Sequence, residues 1–149
     1  MAEASISLKC SDCPTRSKCE WRSLGQEEVE ILDKAKVTLS YDRGQTIFME
    51  DDDSRGVYRI ASGAVSVFKT NEDGDTAVLR LSRAGETLGY GSVLAGRART
   101  TNAEAILPSR ICFIPRKTVL GLVARNSELA LGFLNHSLED FRDVGQRYL

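Results

Sequence analysis

Between Lys36 and Pro115 the chain breaks into eight short β-rich runs separated by Gly, Asp and Asn. This punctuation constrains the fold more than any other feature. The runs predict strands over 37–41, 45–49, 57–62, 64–70, 76–82, 87–94, 101–106 and 110–114. The turn Asn71-Glu72-Asp73-Gly74-Asp75 joins the alternating Val65/Val67 run to the Val78/Leu79/Leu81 run, with Gly74 free to take a positive φ, which makes a hairpin. Short strands with glycine punctuation predict a mainly β fold of the double-stranded β-helix jelly-roll type, which leaves few exposed edges.

Helical patterns flank this core. Leu24 and Val29 have the spacing of a hydrophobic staple around Gly25 as N-cap, and Gln26, Glu27 and Glu28 suit the positive end of a helix that runs to about Lys34. After Pro115 a short helix is expected over 116–124, with Asn126 capping a longer one over 127–149. In that last helix Leu131, Leu134, Leu138, Phe141, Gly145 and Tyr148 follow a 3-4-3-4-3 seam, narrow enough to suit pairing with an identical helix. The alternative is a helix packed back on its own barrel. The organisation expected is therefore a cysteine-rich segment over 1–23, a jelly-roll domain over 24–126 and a dimerisation helix over 127–149.

The remaining residues carry the chemistry. Cys10, Cys13 and Cys19 fall in one polar stretch with no periodicity, read as a loop that a ligand would hold, and the fourth cysteine is Cys112. Four thiolates fill the tetrahedral environment of zinc or the ligand set of an iron–sulfur cluster, and residue types alone leave both open. Lys9, Arg16, Lys18 and Arg22 around the thiols favour their ionised form. No apolar run approaches the ~20 residues of a membrane span, and the start lacks a signal peptide, so a cytoplasmic, thiol-reducing setting without membrane attachment is expected. With 20 Lys+Arg against 21 Asp+Glu there is no basic footprint for nucleic acid on this portion. An enzyme is not expected either, because Ser/His/Asp chemistry has only His136 to draw on, and that residue falls in the pairing helix rather than near a cleft.

Cys10-x-Asp12-Cys13-x5-Cys19, Gly44-Gln-Thr-Ile-Phe, Ala61-Ser-Gly63-Ala-Val, Ala84-Gly85-Glu-Thr-Leu-Gly89 and Arg110-Ile-Cys112-Phe-Ile-Pro115 together resemble the sensory half of Crp/Fnr regulators, specifically the oxygen-sensing Fnr branch. The resemblance implies a 4Fe-4S cluster on Cys10, Cys13, Cys19 and Cys112, a homodimer favoured by the intact cluster, and DNA binding through a helix-turn-helix domain not contained in this chain. It also makes Asp73, Gly74 and Asp75 a candidate contact for RNA polymerase, as in activating relatives. The jelly roll of this superfamily commonly houses a cyclic nucleotide, held by a carboxylate soon after the Gly89 equivalent and by an arginine followed by Ser or Thr. Tyr90 takes the carboxylate position here, and Arg99-Thr100 reads as a solvated basic loop. A cyclic nucleotide is therefore not the expected ligand, and it stands with a zinc-stabilised interaction domain as the alternative.

Overall fold

The computed structural model describes residues 3–4 and 20–148, of which 3–4 and 140–148 by backbone alone. Its strands are β1 (Glu3–Ala4), β2 (Val37–Tyr41), β3 (Thr46–Phe48), β4 (Gly56–Ser62), β5 (Ala64–Thr70), β6 (Thr76–Arg83), β7 (Thr87–Leu88), β8 (Asn102–Ala105) and β9 (Ser109–Pro115). Helices α1 (Gln26–Ala35), α2 (Tyr90–Ala95), α3 (Arg116–Arg125) and α4 (Ser127–Tyr148) accompany them, with a 3-10 turn at Glu20–Ser23. Two antiparallel sheets, ordered β1-β2-β9-β4-β7 and β3-β8-β5-β6, make a jelly roll.

Strand alternation divides the core in two. Ile60 and Ile111 point between the sheets, where they meet Phe48, Val65, Leu88 and Ala105. Their neighbours Val57, Ala61, Cys112 and Ile114 face outward into a second cluster, covered by Val29 and Leu32 of α1, Val119 and Leu122 of α3, and Leu129 and Phe133 of α4. Each such aliphatic side chain, taken fully out of water, contributes about 1.5–3 kcal/mol, so this second layer is what fixes the helices on the barrel.

The N-terminus of α1 forms as its sequence suggests. Gly25 is the N-cap, its N–H donates to Glu28 Oε1 at 3.0 Å, and Leu24 and Val29 are both buried. Asn126 caps α4 by accepting the Leu129 N–H at 3.1 Å. In the hairpin, Gly74 has φ 85° and Asn71 Oδ1 accepts the N–H groups of Asp73 and Asp75.

Two expectations fail. The strand expected over 87–94 stops at Leu88, because Gly89 turns left-handed with φ 82° and begins α2, whose Tyr90 and Val93 bury one face. Residues 20–23 are not loop: they form the 3-10 turn, and Trp21 is fully buried against Phe133 with ring centroids 5.4 Å apart.

Helix α4 presents two distinct faces. The helical period puts Leu129, Phe133 and His136 on one face and Leu131, Leu134 and Leu138 on the other. The first face packs on the barrel, with Leu129 and Phe133 buried, whereas the three leucines of the second are more than half exposed. The side chains of Phe141 and Tyr148 lie outside the described residues.

Candidate functional site

Cys112 sits at the centre of β9, between β2 and β4, and is 2% exposed. Across the sheet it is directly opposite Thr38 on one side and Arg59 on the other, and Arg59 is in turn opposite Thr87. The thiol meets the Thr38 hydroxyl at 3.8 Å, a weak contact. Arg59 occupies the alternation of Val57 and Ala61, on the helix-covered face, and is buried. The thiol and the Arg59 backbone position thus share one buried, helix-covered layer of the sheet.

Cys10, Cys13 and Cys19 lie outside the described residues. Both flanks of their segment are placed, however. Ala4 pairs with Leu39, next to the Thr38 that faces Cys112, and Trp21, two positions after Cys19, shares the apolar cluster that contains Cys112. Among the described residues no three His, Cys, Asp or Glu side chains converge on a metal. Cys112 is thus a buried thiol in the same apolar cluster as Trp21.

A cleft of about 440 Å³ is lined by Tyr90 together with Phe48, Arg80, Glu86, Arg99 and Ser137 among others. Tyr90, at the position where the nucleotide cassette has its carboxylate, is stacked on Phe133 with centroids 4.9 Å apart. Arg99 is not the solvated loop residue its sequence context suggests. It is 3% exposed, its Nη1 donates to Gly89 O at 2.9 Å and Ser92 Oγ at 3.2 Å, its Nη2 donates to Gly56 O, and the guanidinium lies 4.5 Å from the Phe48 ring centre. Gly89 permits this approach, since a Cβ there would stand 2.1 Å from Nη1. Burial holds the Arg99 guanidinium below its ordinary value, partly offset by Tyr58 and Asp52. Asp51, Asp52 and Asp53 are exposed, with Asp52 accepting the Met49 N–H.

His136 is also misplaced by its sequence context. Rather than lying away from any cleft, it packs beside Tyr90 and bonds Glu20 and the cleft-lining Arg80. Its being the chain's single histidine was the only signal of interest, and nothing local linked it to Glu20. Asp73, Gly74 and Asp75 form an exposed hairpin tip. Among the described residues no helix is long and apolar enough to cross a membrane.

Residues 38–126 match the family described as "Cyclic nucleotide-binding domain". The chain belongs to that family. This cyclic nucleotide-binding domain is 27% identical over 113 residues to the "Fumarate and nitrate reduction regulatory protein" of Escherichia coli, covering 75% of this chain and 45% of the relative. The chain thus spans a little under half the length of the curated relatives it matches. Among solved structures it is similar to the Catabolite Activator Protein of Thermus thermophilus, with TM-score 0.73, 26% identity and coverage of 86% of this chain and 60% of that one. The sensor domain of the transcriptional regulator DNR from Pseudomonas aeruginosa shares the fold at TM-score 0.74, 19% identity and 83% coverage of each chain. The relatives named here are regulatory proteins, and the chain shares the fold of the two solved structures.

Proposed function

We propose that this chain is the sensory portion of a Crp/Fnr-type transcription regulator of the Fnr branch, in which Cys10, Cys13, Cys19 and Cys112 hold a 4Fe-4S cluster. When bound, the cluster supplies a redox- and oxygen-sensitive centre. The observation that carries the reading is the burial of Cys112 on the helix-covered face, in one apolar cluster with Trp21, two residues from Cys19. The naming of the Escherichia coli relative as a fumarate and nitrate reduction regulator supports it.

In this reading each part has a task. Cys112 anchors the cysteine-bearing segment to the sheet, Arg59 balances its charge, and Trp21 ties the segment to α4. The exposed leucines of α4, Leu131, Leu134 and Leu138, pair with a second copy, continued by Phe141 and Tyr148, and the dimer presents DNA-binding domains that follow this portion. The segments 1–23, 24–126 and 127–149 then act as cluster holder, jelly-roll body and dimerisation helix, in the cytoplasm. The hairpin at Asp73, Gly74 and Asp75 is the proposed contact for RNA polymerase.

Arg99 argues against the cyclic-nucleotide alternative. Its guanidinium is committed to two backbone carbonyls and a serine hydroxyl, and Tyr90 has no carboxylate for a ribose. Iron and acid-labile sulfide analysis after anaerobic purification tests the proposal. About four of each per chain is the expected result. Stoichiometric zinc in a colourless anaerobic protein would instead support the zinc-stabilised interaction domain.

A further inference from the structure

The inner face of α4 rests on the two residues that directly follow Cys19. Phe133 meets the Trp21 ring edge-on, and Gly132 lies against Glu20, whose Cβ would be 3.8 Å from a Cβ at that glycine. One turn on, His136 Nδ1 hydrogen-bonds Glu20 Oε1. The other side of the imidazole is held by the barrel, with Arg80 Nη2 2.9 Å from His136 Nε2 and 2.8 Å from Glu86 Oε1. The second oxygen of Glu20 accepts the Thr87 hydroxyl at 3.0 Å, and that hydroxyl accepts the Trp21 indole N–H at 3.0 Å.

Donor and acceptor roles in this chain follow from chemistry. A guanidinium only donates, so Nε2 accepts from Arg80 and the ring hydrogen sits on Nδ1, aimed at the carboxylate. A neutral imidazole is thereby read from both sides. The side chains of His136 and Glu20 are only 15% and 9% exposed, which shields their hydrogen bond from solvent in large part.

We infer that Glu20 and His136 are a positioning pair that fixes the rotation of α4 on the barrel, so that any displacement of the residues after Cys19 turns the outer face of Leu131, Leu134 and Leu138. The inference rests on the proposed function for its input, the cysteine-bearing segment. Its output follows from geometry. A side chain about 5 Å from the helix axis moves about 2 Å for a rotation of ~20°. A gap of under 1 Å already forfeits a quarter to a half of a packing contact, so interlocked leucines register such a turn strongly.

The test is sedimentation equilibrium of the whole 149-residue chain, with urea unfolding followed by the emission of Trp21, its single tryptophan, to confirm folding of each variant. Glu20→Ala and His136→Leu should each weaken self-association about fivefold or more, and the double variant should be no weaker than the worse single. Glu20→Gln keeps an acceptor for Nδ1–H, and His136→Asn keeps a donor near the Nδ1 position, so both should stay within about twofold of the parent. Folded Glu20→Ala and His136→Leu variants that associate like the parent, or effects that simply add, would overturn the inference. A second arm compares parent chain with its cluster loaded and stripped. Coupled variants together with an unchanged parent would leave the positioning pair standing and count against the cysteines as its input.

Discussion

Arg59 stands directly opposite Cys112 across the β4–β9 pair, and both are buried beneath the helices. The two belong to strands whose register closes a long loop of sequence, so the juxtaposition is a product of the fold. In the proposed cluster site, a buried cation on the strand opposite Cys112 would stabilise the charge of its thiolate. Arg59→Met should therefore shorten the anaerobic lifetime of the visible chromophore about tenfold, equivalent to about 1.4 kcal/mol. Arg59→Lys should retain most of it. Equal lifetimes for parent and Arg59→Met would remove Arg59 from the site.

Arg99 holds the start of α2 against β4 through Gly89 O, Ser92 Oγ and Gly56 O. Arg99→Met leaves those acceptors without their donor and should cost about 2–4 kcal/mol in urea unfolding. Gly89→Ala should also destabilise, since it meets both a φ of 82° and the Arg99 guanidinium. Calorimetry should show no saturable binding of cyclic AMP to the parent. Micromolar binding would mean that Arg99 leaves these partners for a phosphate.

Glu28 gives a pH signature. Its carboxyl is held below the ordinary value of 4.5, first by the Gly25 N–H and then by the Asn126 amide at 3.0 Å. A depressed folded value means that the bond's stabilisation is present above the unfolded value and is lost as pH falls through the folded one. The parent should therefore lose thermal stability below about pH 4.5 more steeply than Glu28→Gln. Identical slopes in melting temperature against pH between 3 and 6 would contradict the assignment.

The two faces of α4 should separate folding from association. Phe133→Ala removes a buried ring that touches both Trp21 and Tyr90 and should cost about 3–5 kcal/mol of stability. Leu138→Glu, at a residue 61% exposed, should leave the melting temperature of the monomer within a few degrees and abolish dimer in sedimentation. A dimer that survives Leu138→Glu would place the interface elsewhere.

Local signals carried most of the strand positions, the α1 cap and the hairpin, because each depends on neighbours within a few residues. Tyr90 to Ala95 misled because an apolar run after Gly89 reads equally as buried strand or helix, and only the left-handed glycine decides. Arg99 misled because its partners, Gly56 and Gly89, are brought to it by sheet topology. The Glu20–His136 bond spans 116 positions and depends on how α4 docks, which no local pattern encodes. The spacing of Cys10, Cys13 and Cys19 was legible, and their meeting with Cys112 is the proposal's own step, drawn from the placement of Ala4 and Trp21 on either side of that stretch.

The central claim is that the four cysteines govern self-association through α4. Sedimentation of the cluster-loaded chain under argon and again after air exposure, with iron and sulfide measured on the same samples, tests it most directly. The expected result is about four irons and four sulfides per chain in a dimer under argon, and monomer once they are lost. Equal dimer content before and after loss of iron and sulfide would contradict it.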